Sequence, residues 1–394
     1  VNTYDYIVAG GGAAGLSFLW RIGQSSLRHR RILLLDKAPK LRNDRTWCFW
    51  TREPTSFDDI IAHRWDRMAY RDDRGERVDH LRSYQYQLLR GIDFYRHTQA
   101  ALTDLPKLDI RYGNIQEVGE DQDGAFVIFE GEKIRASWVF NSCYAPPAHL
   151  NGQGPRAGLL QHFLGWTVRA EREVFDPHTP VLMDFREEQG DFAHFYYLLP
   201  FSSREALVEL TFFSPSVLPK ATYRDKLDAY LRRFYLLDQY EQLEEEYGVI
   251  PMQGGPVNTA PHPHVVRLGT LGGAVKPTTG YAFLRIQQQT RQIVQQMEAG
   301  QPPRPPAWRH DRFAFYDDLL LHILREQGHL GKAVFSRLFH HNPMDRILTF
   351  LNEQSNLAQE GLLFSTLPKR PFFQAIWALY GTTGTKTWIQ PFPG

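Results

Sequence analysis

The sequence of 394 residues is poor in cysteine, in net charge and in long apolar runs. Its two cysteines, Cys48 and Cys143, form no CxxC and stand in no cysteine–histidine cluster. A disulfide framework and a zinc site are thereby excluded, and a reducing, cytosolic setting is expected. His340-His341 has no further ligand spacing, so no metal is assigned. Lysine and arginine number 45 against 44 aspartates and glutamates, a formal net charge of +1. Such a balance provides no field for phosphates over the whole molecule and argues against nucleic acid as a partner. No run approaches the ~18 apolar residues of a spanning helix. The first residues enter a strand pattern without a basic-then-apolar leader, so the expectation is a chain that carries no secretory signal and does not cross a membrane. Internal repeats are lacking as well. What is abundant is aromatic: 26 Phe, 18 Tyr and 9 Trp, 13% of the chain, a quantity that asks for an apolar surface or ligand to face.

Tyr4-Asp5-Tyr6-Ile7-Val8-Ala9 reads as a buried strand, Gly10-Gly11-Gly12-Ala13-Ala14-Gly15 as a glycine turn opening a helix to about residue 24. Arg31-Ile32-Leu33-Leu34-Leu35-Asp36 is the second strand, and its acid falls 21 residues beyond Gly15. In Gly10-x-Gly12-x-x-Gly15, two glycines let backbone N–H groups approach a pyrophosphate at the helix N-terminus, and the third lets helix and strand pack closely. Ala14 lies within the same turn, and Asp36 is placed to accept hydrogen bonds from a ribose diol. Strand, helix, second strand and acid coincide, which points to a dinucleotide without deciding between FAD and NAD. The segment Arg267-Leu268-Gly269-Thr270-Leu271-Gly272-Gly273 repeats a strand-into-glycine-turn pattern late in the chain, and no further GxGxxG exists for a separate pyridine-nucleotide domain.

Between these segments, residues 84–90 are expected to begin a helix, and strands are expected near 109–117, 125–130 and 134–141. From 161 to 211 the pattern is strand-rich with short turns, as in an antiparallel sheet. A charged helix over about 222–246 closes that block, and another follows from Gly280 to Met297. Gln301-Pro302-Pro303-Arg304-Pro305-Pro306 is a stiff linker, after which the apolar spacing is helical to about 380. The expected fold is α/β: a discontinuous Rossmann-like dinucleotide domain (1–155 and 248–300), an inserted antiparallel-sheet substrate domain (156–247) and a C-terminal helical region (301–394).

The glycine turn resembles the FAD-binding fold of the large hydroxylase and reductase superfamily. Hydroxylases generally place an Asp where this chain has Thr270, and an Asp-Gly where it has Asn141-Ser142-Cys143. Several segments together resemble the bacterial flavoprotein-type lycopene cyclases: Asn43-Asp44-Arg45-Thr46-Trp47-Cys48-Phe49-Trp50, Gln161-His162-Phe163-Leu164-Gly165-Trp166, Leu182-Met183-Asp184-Phe185-Arg186, Val208-Glu209-Leu210-Thr211 and Gly248-Val249-Ile250-Pro251-Met252. The stretch from Gly272 to Phe283, Gly-Gly-Ala-Val-Lys-Pro-Thr-Thr-Gly-Tyr-Ala-Phe, is the most specific of them. The resemblance implies FAD, active in its reduced form with NADPH as reductant, held by Gly10, Gly12, Ala14, Gly15, Asp36, Arg45, Gly272, Gly273, Pro277 and Gly280. It implies an acyclic carotenoid, lycopene, cyclised at its ends to β-ionone rings, by way of γ-carotene to β-carotene, with Glu209 as the acid. It further implies a cytoplasmic protein held peripherally at a membrane surface. The family often has a second acid directly after its glutamate; Leu210 stands there in this chain.

The residues themselves agree in kind. In an extended segment, Leu207, Glu209, Thr211 and Phe213 share one face. A carboxyl bracketed by Leu207 and Phe213 is desolvated and keeps its proton to higher pH. Trp47, Trp50, Tyr196, Tyr197 and Phe213 are candidates for contact with a hydrocarbon, with Phe49, Phe192 and Phe195 beside them. Asp184 reads as a strand-end acid next to Arg186. Two apolar and basic stretches, at 319–341 and at 369–380, are candidates for the membrane contact. An FAD-dependent reductase or monooxygenase of an isoprenoid lipid, and a non-catalytic flavin or carotenoid binder, are the competing readings.

Overall fold

The computed structural model describes residues 4–144, 158–255, 257–306, 308 and 311–381. In chain order they form β1 (Tyr4–Ala9), α1 (Ala13–Gly23), β2 (Ile32–Asp36), β3 (Thr46–Thr51), β4 (His63–Trp65), β5 (Arg67–Asp72), β6 (Gly75–His80), β7 (Gln85–Arg90), α2 (Gly91–Ala100), β8 (Leu108–Tyr112), β9 (Ile115–Asp121), β10 (Gly124–Phe129) and β11 (Glu132–Asn141). Then come β12 (Leu159–Ala170), β13 (Val181–Asp184), β14 (His194–Pro200), β15 (Glu205–Ser214), α3 (Lys220–Tyr235), β16 (Tyr240–Met252), β17 (Val265–Arg267) and α4 (Phe283–Glu298). The last are α5 (Asp311–Glu326), α6 (Gly331–His341), α7 (Met344–Leu351), α8 (Leu357–Ser365) and α9 (Lys369–Tyr380).

The first sheet runs β8-β2-β1-β11, with β17 continuing parallel along the end of β11 and the hairpin strands β10 and β9 antiparallel along its beginning. Its central strands are near-continuous apolar runs because both faces are covered. Val8 faces α1 and α4 in a core with Phe18, Phe140 and Ile293, while Ile7 faces Leu33, Val127 and Val139 on the other side. This is the expected βαβ start with its strands parallel and in register, Val8 opposite Leu34.

The second sheet has the order β16-β12-β15-β14-β13-β5-β6, antiparallel throughout except for the β13–β5 pair. One face packs Leu164, Val208 and Leu210 against Tyr223, Leu227 and Leu231 of α3. On the other face Leu207, Phe195 and Phe213 meet Leu321, Phe335 and Ile347 of the C-terminal helices. A small sheet, β3-β7-β4, joins the same core through Trp50, Trp65 and Tyr86.

Two expectations fail in the strands. Residues 85–90 form β7 rather than a helix, because Gln-Tyr-Gln-Leu-Leu-Arg is extended and pairs with both β3 and β4. The charged helix ends at Tyr235, where Leu236 turns left-handed (φ +53°), and residues 240–252 pair along β12 as an edge strand. Its run of glutamates is what an edge exposes to block pairing with another chain. Consequently the second sheet extends to Met252 and also takes in residues 67–80, which the expected boundaries assigned to the dinucleotide domain. The expected boundary at 155 lies outside the described residues.

Candidate active site

A cavity of about 1220 Å³ runs from the first glycine turn to the C-terminal helices. At its inner end Gly12, Ala13 and Ala14 present the N-terminus of α1, which has no side-chain cap and no acid in its first turn. Those N–H groups have no intrahelical acceptor and face the cavity as an anion site. Gly10 has φ +99°, and a Cβ on Gly15 would stand 2.0 Å from the Gly10 carbonyl oxygen, so this helix can start here only on glycine. Gly15 therefore sits behind the wall and sets the helix position. Asp36 ends β2 in the wall, accepting from the Lys37 N–H at 2.7 Å and lying 3.2 Å from Lys40 Nζ.

Gly269, Thr270, Val275, Thr278, Thr279 and Gly280 form the opposite wall. Gly272, Gly273 and Pro277 do not reach it. Gly272 lets the turn close on α4, where Gln289 Nε2 donates to its carbonyl at 3.1 Å and the Gly269 N–H donates to Gln289 Oε1 at 2.8 Å. The turn is tied from behind by buried Lys276, whose Nζ lies 2.7 Å from Asp317 and 2.8 Å from Glu353. Arg45 lines the cavity but donates to the carbonyls of Asp44 and Tyr247, at 3.2 and 3.1 Å.

The acid site is one row across four strands of the second sheet. Tyr197 on β14 pairs with Glu209 on β15, Glu209 with Gly165 on β12, and Gly165 with Glu246 on β16. Gly165 contributes no side chain, so the two carboxyls meet over it within hydrogen-bonding reach of each other. Glu209 is 8% exposed and accepts from Thr211 Oγ1 at 2.8 Å. Burial first, and then the negative charge of Glu246, hold its proton well above the usual carboxylate range. Glu246 accepts from Thr46 Oγ1 at 2.8 Å; burial raises it to about 7, while Thr46 and the Arg45 charge pull it down.

Leu207, Glu209, Thr211 and Phe213 all face the cavity, the face expected for them. Leu210 points into the α3 core, so an acid at that position could not reach Glu209. Glu246 was invisible to sequence reasoning, because a segment assigned to a helix gives no cross-strand register.

Around the row, Trp47, Trp50, Phe195 and Tyr197 line the cavity with Phe213. Tyr196 does not, contrary to expectation. The pleat turns it to the other face, where it stacks on Tyr230 at 3.8 Å and its hydroxyl donates to the Lys226 carbonyl at 3.2 Å. Phe49 and Phe192 also lie outside the wall; Phe49 stacks on Phe283 in the first core. The Tyr86 hydroxyl bonds to those of Tyr197 and Tyr281, the latter at 2.9 Å, and burial pushes the neighbouring Cys48 thiol up to about 12.

The outer end is lined by apolar residues of α5, α6, α8 and α9, including Phe335, Leu363, Phe372 and Ile376. Of the two stretches expected to meet lipid, residues 319–341 turn inward: Leu319, Leu321, Ile323, Val334 and Phe339 are buried against the second sheet and α9. On α9, Phe373 and Trp377 are 67% and 70% exposed, and Leu357 and Leu362 of α8 are exposed as well. No helix among the described residues is long and apolar enough to cross a membrane.

Residues 5–377 match the family described as Lycopene cyclase protein. A lycopene beta cyclase of Capsicum annuum is 26% identical over 309 residues, 71% of this chain and 58% of the plant protein. The match thus spans less than two thirds of that relative. A lycopene beta-cyclase of Pantoea ananas is 25% identical over 299 residues, 71% of each chain. Among solved structures, a geranylgeranyl bacteriochlorophyll reductase-like protein from Thermoplasma acidophilum superposes with a TM-score of 0.57 at 14% identity, covering 97% of both chains. Aklavinone-11 hydroxylase, solved with FAD and aklavinone, gives 0.54 at 13% identity over 76% of this chain and 63% of its own. These structures share the fold, and the family match runs from β1 through both sheets into α9: the chain belongs to the lycopene cyclase family.

Proposed function

We propose that the protein cyclises the ends of lycopene to β-ionone rings, through γ-carotene to β-carotene, by proton transfer at Glu209. The observation that carries this reading is a buried carboxyl, its proton held above the usual carboxylate range by burial, facing an aromatic cavity that is continuous with a dinucleotide-type glycine turn.

The chain's residues fit FAD. Gly10, Gly12 and Ala14 would take the pyrophosphate at the free N-terminus of α1, and Asp36 the ribose. Gly280, at φ +72°, would give a ring system access beside the Gln161 amide, whose Oε1 is buried without a partner. Reduced FAD, maintained by NADPH, would supply negative charge beside a developing cation. Glu209 gives its proton to the terminal double bond, and the tertiary cation is attacked by the neighbouring double bond as the six-membered ring closes. A ring proton then returns to the Glu209 carboxylate, so mass and redox state are unchanged. The walls of Trp47, Trp50, Tyr197 and Phe213 position a substrate that offers no hydrogen bonds, and ring faces favour a passing cation by about 0.5–2 kcal/mol each.

The exposed Phe373, Trp377, Leu357 and Leu362, with Lys369 at the cavity mouth, support a peripheral seat on the cytoplasmic face of a membrane, where the substrate dissolves. The test is anaerobic incubation with lycopene, FAD and NADPH. Ring products of unchanged mass are expected from the wild type and none from Glu209→Gln, which should retain its flavin. A product that gains oxygen or hydrogen, or normal turnover by Glu209→Gln, refutes the reading.

A further inference from the structure

We propose that Glu246 is a positioning residue for the reaction, the member of a two-carboxyl pair that carries the negative charge and so keeps the shared proton on Glu209. This rests on the cyclase reading for its chemistry, though not for its geometry. Three features carry it. The first is register. Glu209 and Glu246 stand opposite the same residue, Gly165, from strands on either side of β12, and any side chain there would separate them. A Cβ on Gly165 would fall 3.3 Å from Glu246 Cγ and 3.4 Å from Glu209 Cβ.

The second is the asymmetry of their surroundings. Glu246 accepts from Thr46 Oγ1, and the Arg45 guanidinium, anchored on the Tyr247 carbonyl, brings a positive charge to its side. Glu209 has the Thr211 hydroxyl, Leu207 and Phe213 on its own strand face and the neutral Tyr197 across the sheet, with no cation among the groups that shift it. Of the other titratable groups facing the pair, Glu244, held by Asn43 Nδ2 at 3.0 Å, works against this by adding negative charge on the Glu246 side, while Cys48, Tyr86, Tyr197 and Tyr281 stay neutral in the chamber, so the preference rests on Thr46 and Arg45. Two like charges in one buried site cannot both ionise, so one proton is retained, and it resides on the member less well provided for as an anion.

The third is the place of Leu210. Sequence adjacency on a strand sends neighbours to opposite faces, so a partner for Glu209 has to come from across the sheet. Burial raises both carboxyls, but the pair acts on its members in opposite senses: the Glu246 charge raises Glu209, whereas the contact with Glu209 lowers Glu246, in keeping with that order of ionisation.

The sign of the effect is fixed. Removing the Glu246 charge removes the repulsion that opposes ionisation of Glu209, so Glu209 loses its proton at lower pH. In holoenzyme, the infrared carbonyl band of the protonated carboxyl, identified by its loss in Glu209→Gln, should titrate at least about one pH unit lower in Glu246→Gln. Ring formation should keep its rate at mildly acidic pH and fall about tenfold further than wild type at alkaline pH, with KM unchanged. Glu246→Asp should restore part of both shifts. An unmoved infrared titration overturns the pair, whether or not rings form. Glu246→Gln as inactive as Glu209→Gln at every pH also overturns it, since Glu246 would then act directly. Wild-type protein that forms no ring refutes the cyclase reading alone.

Discussion

Replacing Gly165 by alanine would place one carbon between the two carboxyl-bearing side chains. Its Cβ would lie 3.1 Å from Leu207 Cδ1, 3.3 Å from Glu246 Cγ and 3.4 Å from Glu209 Cβ. The leucine methyl can swing aside. The Glu209 Cβ is fixed by its strand, so the give of a few tenths of an ångström falls on Glu246. Overpacking of this kind costs about 1–3 kcal/mol, and alanine regains about 0.5–1 kcal/mol of the backbone entropy that glycine loses in a strand. The net is between about zero and 2.5 kcal/mol, or a Tm lowered by no more than about 5 °C in a chain of this size. Catalysis should suffer more than stability, because a misplacement of ~1 Å is worth about a hundredfold and a few tenths about tenfold. The assay is anaerobic ring formation followed by chromatography, beside flavin content and thermal melting. In the double variant with Glu246→Gln, the alanine should add little further loss, since its effect acts through the same pair. Full activity of Gly165→Ala with an unchanged pH profile would refute the argument from the gap.

Gly15→Ala should lower bound flavin, read as absorbance per chain, because the added carbon would stand 2.0 Å from the Gly10 carbonyl oxygen and push α1 off the strand. Trp377→Asp should weaken co-flotation with liposomes while leaving turnover of detergent-dispersed substrate intact, because the side chain is largely exposed and does not line the cavity.

The βαβ start and its glycine turn are legible in the sequence because a glycine turn between apolar strands has one steric solution. The Gly10 to Gly15 turn, Asp36 and the inward face of β15 could all be read from spacing and period. What could not be read is what depends on pairing between distant strands. The first half of β16, up to Glu246, reads as helix because its glutamates mask alternation, and with that reading goes the register that sets Glu246 opposite Gly165. Residues 67–80 join the second sheet through a parallel pairing with β13, a contact that no local pattern announces. Tyr196 and Tyr197 were indistinguishable by composition; one step of pleat sends the first to α3 and the second to the cavity. The leucine and phenylalanine helices at 319–341 have the amphipathic pattern of a surface segment, and only the sheet beside them decides which partner the apolar stripe meets.

The tyrosine series bears on the fate of a reactive carbon. A tertiary cation is captured by whatever lone pair reaches it first. In this chamber the hydroxyls of Tyr86, Tyr197 and Tyr281 are engaged with one another and Cys48 stays a thiol. The hydroxyls of the two tyrosines that line the cavity, Tyr197 and Tyr281, are thus each tied to Tyr86 behind them and not left free to turn toward the cavity. On the proposed cyclisation, survival of the cation long enough to lose a proton, rather than be trapped as an alcohol or an adduct, would then be a property of how the polar groups are paired and not of how few there are.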